Sequence, residues 1–324
     1  MDPSQLLTLV GILVGVPAAL AGYIVAAEML VRRLPDGAKA SIRPWVWVGP
    51  ALFFIAIFLV YPALETVRIS LYDNQGSFVG LDNFSRVLAS SAVLLAIRNN
   101  ILWLVFYTLF VLIFGVLLAV LTDRVRYETP VKSLIFMPMA ISFVALGVIW
   151  KFMYLYQPAG APQTGTLNFL VTAAFQGQPV AWLVDRHVNN FALIGAAVWG
   201  WTGFAMVILS AALKGIPGDL LEAARVDGAG ELTVFRRVIL PLLMPTVTVV
   251  ATTLLIFALK AFDIVYVMTD GHFDTDVLAN RMYTELFNNG NPARSGALAV
   301  LLLVAVIPVL AFNLRQFRTQ EARR

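Results

Sequence analysis

Cysteine is absent from the 324 residues, and histidine occurs only at His187 and His272. The first absence excludes disulfides, thiolate metal sites and thiol redox switches on either side of a membrane. The two histidines lie far apart in polar stretches, so they read as solvated loop side chains rather than a zinc site. Charge is scarce as well: Asp, Glu, Lys and Arg make up 13% of the chain, against about a quarter in soluble domains. There is no G-x-x-x-x-G-K-S/T loop to cradle ATP phosphates, no His-Glu-x-x-His, no Gly-x-Ser-x-Gly and no paired mid-span aspartates. Those routes to ATP hydrolysis or intramembrane hydrolysis are closed to this chain.

What the chain does have is apolar surface. Hydrophobic residues form 60% of it and its mean hydropathy is +0.82. No water-soluble shape of this size hides that much, because even a large domain leaves part of its chain exposed. Lipid is therefore the solvent. Seven stretches are long and apolar enough to cross roughly 30 Å of hydrocarbon as helices. They are Leu6–Val31, Trp45–Leu64, Ile101–Leu121, Leu134–Tyr154, Phe191–Leu213, Leu242–Phe262 (extending as far as Met268 on a generous reading) and Ala297–Leu314. Their runs are continuous rather than alternating, which favours an all-α polytopic protein over a β-barrel. The first stretch opens with Met1-Asp2-Pro3, lacks a basic leader and ends in Arg32-Arg33, so it reads as a retained span rather than a signal peptide.

Lysine and arginine set the expected direction. Fifteen fall in one set of connections, at 32–43, 124–132, 214–237 and 315–324, and six in the alternate set. Short positive loops stay cytoplasmic, so the N-terminus is expected outside and the C-terminus inside. Two longer outward loops, Gln157–Asn190 and Thr269–Ser295, follow from that topology. The expected division is residues 1–44, an accessory helix and linker, and residues 45–324, a transmembrane domain.

One inward connection, Lys214–Leu240, is longer than the rest and patterned as a helix–turn–helix. Pro217 suits a first helical turn. Leu220, Leu221, Ala223 and Ala224 follow, and Gly228 supplies a left-handed stop. Its charges, Glu222, Arg225, Asp227, Glu231, Arg236 and Arg237, keep it out of lipid. Read from its residues alone, the segment is either an interfacial connector or a helix that packs into another protein's cleft, with Glu222 facing a basic partner.

At these residues the sequence resembles a known family. Glu222-Ala223-Ala224-x-x-x-Gly228, followed after nine residues by Val238-x-Leu240-Pro241, is similar to the EAA signature of binding-protein-dependent ABC importer permeases. Val238 stands where isoleucine is usual. Ile216-Pro217, Asp227-Gly228-Ala229 and Phe235 extend the likeness. Tyr61-Pro62, Gly80-Leu81-Asp82-Asn83-Phe84 and Phe262-Asp263-x-Val265-Tyr266-x-Met268-Thr269 resemble carbohydrate permeases of the maltose and glycerol-phosphate kind. Asp270-Gly271-His272-Phe273 departs from the glycine- and proline-rich turn of many relatives, and Thr269–Phe287 looks closest to the α-glucoside and glucosylglycerol branch.

The resemblance implies a permease in the bacterial inner membrane. It would work with a second homologous permease as heterodimer partner, two ATPase subunits that carry ATP-Mg, and an extracytoplasmic sugar-binding protein. It implies no cofactor on this chain, no enzymatic activity and no nucleic-acid partner. The coupling residues would be Glu222, Ala223, Ala224, Asp227, Gly228, Leu240 and Pro241.

Candidate pathway residues are polar or aromatic groups that lie within the spans. Lys260 and Asp263 are three apart, on neighbouring faces of one expected helix. Asn100 and Tyr107 open another span, while Trp199, Trp201, Thr202 and Phe204 lie on the span before the coupling loop. Sugars bind through aromatic faces and amides in mostly apolar sites. The same residues also suit packing, the interfacial aromatic belt or, for Lys260, snorkelling. A competing class is an ion-coupled transporter acting without an ATPase. It calls for buried mid-membrane carboxylates, for which Asp263 is the only candidate.

Overall fold

The computed structural model describes residues 3–123 and 125–321. Met1, Asp2, Arg124, Arg323 and Arg324, which entered the sequence reading, lie outside the described residues. The helices are α1 (Pro3–Arg32), α2 (Asp36–Ser70), α3 (Asp82–Leu88), α4 (Ser91–Asp123), α5 (Glu128–Ala140), α6 (Phe143–Met153) and α7 (Thr166–Ala173). They continue with α8 (Asn189–Lys214), α9 (Gly218–Val226), α10 (Glu231–Leu259), α11 (Asp263–Met268), α12 (278–288) and α13 (Pro292–Glu321). Among the described residues there is no strand, only an isolated bridge between Tyr72 and Phe78. Six helices are long and apolar enough to span a membrane, and the bent pair α5–α6 makes a seventh. All seven expected spans are present.

Two departures from the sequence reading matter. The stretch Leu134–Tyr154 is not one straight span: α5 and α6 meet at 101°. Pro138 lacks the N–H that would continue the ladder, the chain tightens into a 3-10 turn at Met137–Ala140, and Ser142 caps α6 by accepting from the Ala145 amide at 3.2 Å. The second departure is at Leu242–Phe262, where α10 ends at Leu259 and the chain turns through Lys260, Ala261 and Phe262 before α11 begins at Asp263. Lys260 and Asp263 thus flank a break instead of sharing one helix. No proline or glycine marks it. The change of axis buries Ile264, Val265 and Met268 and packs α11 against α6, where Gly147 lets Val267 approach closely.

The chain divides into two compact units, residues 1–65 and residues 66–324. In the first, the Tyr23 hydroxyl donates to the Val46 carbonyl. Glu28 pairs with both Arg32 and Arg43 at 3.4 Å. In the second, α8 is the central element and runs along α4. Its seam is built from small residues: a Cβ on Gly115 would sit 2.6 Å from the Ala205 Cβ, and one on Gly203 2.5 Å from the Ile135 carbonyl oxygen. Small residues let helix backbones approach in lipid, where dispersion takes over from the hydrophobic effect. Leu193, Ile194, Met206 and Leu209 of α8 pack there with Val111, Leu146, Val250, Leu254 and Val265.

Among the described residues four helices carry π turns, at Ala56–Val60, Trp103–Tyr107, Phe235–Ile239 and Thr284–Asn288. The first and third come just before Pro62 and Pro241. Each proline removes one donor, and a wider turn absorbs the mismatch.

Candidate functional site

A small cavity opens where α4, α6, α8 and the break after α10 converge. The π turn of α4 brings Trp103 and Tyr107 to its wall, their rings 6.1 Å apart. Both are almost completely buried, and neither the Trp103 Nε1 nor the Tyr107 hydroxyl has a hydrogen-bond partner. Trp201 stands between two other wall residues. Its ring lies nearly parallel to that of Phe143 at 5.9 Å and within 3.9 Å of Phe257. Lys260, Phe262 and Asp263 complete the lining from the broken segment. Breaking the helix turns an acid and a base toward one aromatic space, in a span where an isolated charge is costly. Two buried donors with no partner of their own make the wall suited to a polar ligand that supplies acceptors.

Of the residues singled out from sequence, Tyr107, Trp201, Lys260 and Asp263 meet in this cavity. Phe204 packs edge-on against Trp201 at 5.3 Å. Trp199 and Thr202 face a separate apolar groove with Phe110 and Phe114. There Trp199 meets Trp150 edge-on at 5.8 Å, and the Thr202 hydroxyl bonds the Val198 carbonyl at 2.7 Å. Asn100 instead holds the start of α12: its Oδ1 accepts the Leu278 amide at 2.8 Å. Trp103 opens the same span as Tyr107 and was weighed with it, whereas Phe143, Phe257 and Phe262 were not among the sequence candidates. In an apolar span their periodicity does not differ from packing, and the bend at Pro138 was the one signal pointing to Phe143.

Three carboxamides hold the loop that follows α11. Asn99 donates to the Asp274 and Asp276 carbonyls, both at 2.8 Å. Asn189 donates to the Phe273 carbonyl at 2.7 Å and Asn190 to that of Asp274 at 3.3 Å. The grip matches the strain beneath it, because Asp270, Phe273 and Asp274 all have positive φ. Burial raises the Asp276 carboxyl above the ordinary carboxylate range, opposed by the Asn280 amide and the Arg281 guanidinium.

The second feature is the loop between α8 and α10. Pro217 precedes α9, and Gly228 ends it with φ +85°. The Gly228 amide bonds the Arg225 carbonyl at 3.0 Å and the Ala229 amide that of Ala224, also at 3.0 Å. Only glycine takes that backbone without strain. Arg225 reaches Glu231 at 2.8 Å across the turn. Ala224 and Leu221 lean on a small core of Leu213, Val234, Ile239 and Leu243. On the outer side, Glu222, Ala223 and Asp227 are exposed together with Leu220 and Val226, the last at 87%. Glu222 makes no hydrogen bond or salt bridge among the described residues. Leu240 and Pro241 lie where the π turn gives way to the apolar part of α10.

Comparison with known proteins places this geometry. The family model described as "Binding-protein-dependent transport system inner membrane component" matches residues 111–320. The osmoprotective compounds uptake permease protein GgtC of Synechocystis sp. is 50% identical over 280 residues, spanning 86% of this chain and 100% of that protein. The alpha-glucoside transport system permease protein AglF of Rhizobium meliloti is 45% identical over 277 residues, or 85% of this chain and 82% of that one. A solved chain from a bacterial ABC transporter involved in the import of the acidic polysaccharide alginate superposes with a TM-score of 0.74. It covers 87% of this chain and 98% of its own length at 23% identity, a likeness of fold. With the family model across most of its length and relatives of such identity, the chain belongs to the binding-protein-dependent transport system inner membrane components, the ABC importer permeases.

Proposed function

We propose that this permease admits a sugar or sugar-like solute to the cytoplasm, through a site that includes the cavity around Trp201. The observation that carries the reading is the cavity itself. Stacked aromatic faces suit sugar C–H surfaces, while the unpartnered Trp103 and Tyr107 donors, Lys260 and Asp263 suit its hydroxyls. The names of GgtC and AglF support the same class, since they refer to osmoprotective compounds and alpha-glucosides.

The energy comes from two separate ATPase subunits, the place where ATP-Mg would act. α9 docks in an ATPase cleft, with Leu220, Ala223 and Val226 as the apolar contact and Glu222 paired to a basic residue. Gly228 sets the turn that holds α9 beneath the spans. Movement of the ATPases shifts this chain and a second, homologous permease between inward- and outward-facing states, so the site is never open to both sides at once. An extracytoplasmic binding protein delivers the solute. In this arrangement the N-terminus is outside, and the docking loop and C-terminus are cytoplasmic, in accord with the lysine and arginine pattern.

The test is Glu222→Lys in the complete transporter reconstituted in vesicles. The expected outcome is normal membrane insertion with transport-coupled ATP hydrolysis reduced at least about tenfold, the scale of truncating one partner of an interfacial charge pair. Hydrolysis still stimulated normally by the loaded binding protein would remove Glu222 from the coupling contact. Uptake that proceeds without the ATPases would overturn the whole reading.

A further inference from the structure

Three charged side chains and a hydroxyl meet at the root of the docking loop. Glu128 is the first residue of α5. Its carboxylate takes the ammonium of Lys132, one turn along the same helix, and that of Lys214, the last residue of α8, at 2.6 Å. Lys132 also donates to the Ser210 hydroxyl, 78 positions away on α8. Three of the four are shielded: the Lys132 side chain is 14% exposed, that of Glu128 26%, and Ser210 is buried, while Lys214 stands half exposed at the edge. Had Glu128 met only Lys132, it would be an ordinary helix-surface pair contributing a few tenths of a kcal/mol. Its second partner, Lys214, makes it different, because it ties two elements at one point. Only Gly215, Ile216 and Pro217 separate Lys214 from α9.

The geometry continues away from this knot. α5 leads from Glu128 to the 101° break, and directly past the break Phe143 forms part of the cavity wall against Trp201. Along the way the backbone of α5 at Ile135 touches α8 at Gly203, so the two helices move as one body only if their ends are also held in register. We infer that Glu128 is a positioning residue for energy coupling. Its bridge from Lys132 to Lys214 carries displacement of the docking helix α9 into the broken span, and so to Phe143 at the cavity. The inference rests on the docking role proposed for α9. A route of this kind requires measured coupling between its members, not proximity alone.

The experiment uses the full transporter in vesicles and measures ATP hydrolysed per solute imported. Glu128→Gln and Lys214→Gln should each raise that ratio by about threefold, and the double variant by no more than either alone, the signature of a shared contact. The conservative variant Lys214→Arg, which keeps a cation opposite Glu128, should leave the ratio within about twofold of wild type. A purely structural role would lower the amount of assembled transporter without changing the ratio. Wild-type stoichiometry in both single variants, or additive effects in the double variant with a ratio in Lys214→Arg as high as in Lys214→Gln, overturns the inference. Because Lys214 is half exposed, Lys214→Gln answers the question even where Glu128→Gln fails to assemble. Glu222→Lys run in parallel separates the two levels. If it uncouples while the Glu128 and Lys214 variants do not, the bridge is wrong and the docking helix stands. If it too leaves coupling intact, the docking reading has failed.

Discussion

Tyr107 holds a hydroxyl in a closed aromatic wall with nothing to bond. A buried polar atom of that kind is destabilising by about 1–3 kcal/mol unless something pairs with it. The proposed solute is that partner. Tyr107→Phe should therefore keep or slightly raise the thermal midpoint of the purified protein, and raise the KM for uptake by roughly threefold to tenfold, the value of one hydrogen bond. Unchanged uptake kinetics with a raised midpoint would return Tyr107 to packing alone. Asp276 makes the opposite kind of demand. Burial raises its pKa in the folded loop, so folding favours the protonated acid. The stability it contributes is complete below about pH 4, the ordinary carboxylate range, and is lost as pH rises through the raised value. The thermal midpoint should climb as pH falls from neutral into the acid range. In Asp276→Asn, which keeps an oxygen for the Asn280 and Val277 donors, that part of the climb should vanish. An identical pH profile in the variant would show that Asp276 does not titrate across that range.

Among the elements, α8 bears most on the site. It carries Trp201 to the cavity and ends at the root of the docking loop, and its place is set by how closely it approaches α4 and α5. Gly115→Val should push α4 and α8 apart, because even a Cβ there falls 2.6 Å from the Ala205 Cβ. Overpacking of this kind is destabilising by about 1–3 kcal/mol. The expected outcome is a lowered thermal midpoint, with uptake impaired through Trp201 and Phe204, which α8 positions. A variant as stable as wild type would mean the seam is looser than this contact implies. The Lys214–Leu240 segment was the element most legible from sequence. Pro217 and Gly228 act through local backbone chemistry and mark the boundaries of α9 where they were expected. Pro241, where the second helix of the loop was expected to stop, instead lies inside α10, which passes it after a π turn. The breaks within spans were less legible. The one at Ala140–Phe143 had Pro138 as a signal. The one at Lys260 had none, because its cause is the packing of α11 against α6 and not any residue in the turn.

Across the whole molecule, the scarce charge and abundant apolar surface were enough to show lipid as the solvent and seven spans as the architecture. A helix is the local answer to unsatisfied backbone in hydrocarbon, so length and apolarity alone suffice to find it. The spaced residues around Glu222 were likewise enough to indicate the permease family, because the left-handed turn after α9 needs its glycine at one fixed position. The cavity could not be read that way. Tyr107, Trp201, Lys260 and Asp263 stood out as polar or aromatic groups in apolar stretches, and so did Asn100, Trp199, Thr202 and Phe204. Nothing in their spacing separates those that meet at one wall from those that bond a carbonyl or face a groove. Composition and local pattern determined that the chain crosses a membrane as helices and carries a helix–turn–helix between α8 and α10, since both depend on interactions within a few residues. Which side chains share a cavity, and that Glu128 faces Lys214, only the tertiary structure decided, because those neighbours come from distant helices whose turns and breaks are set by packing.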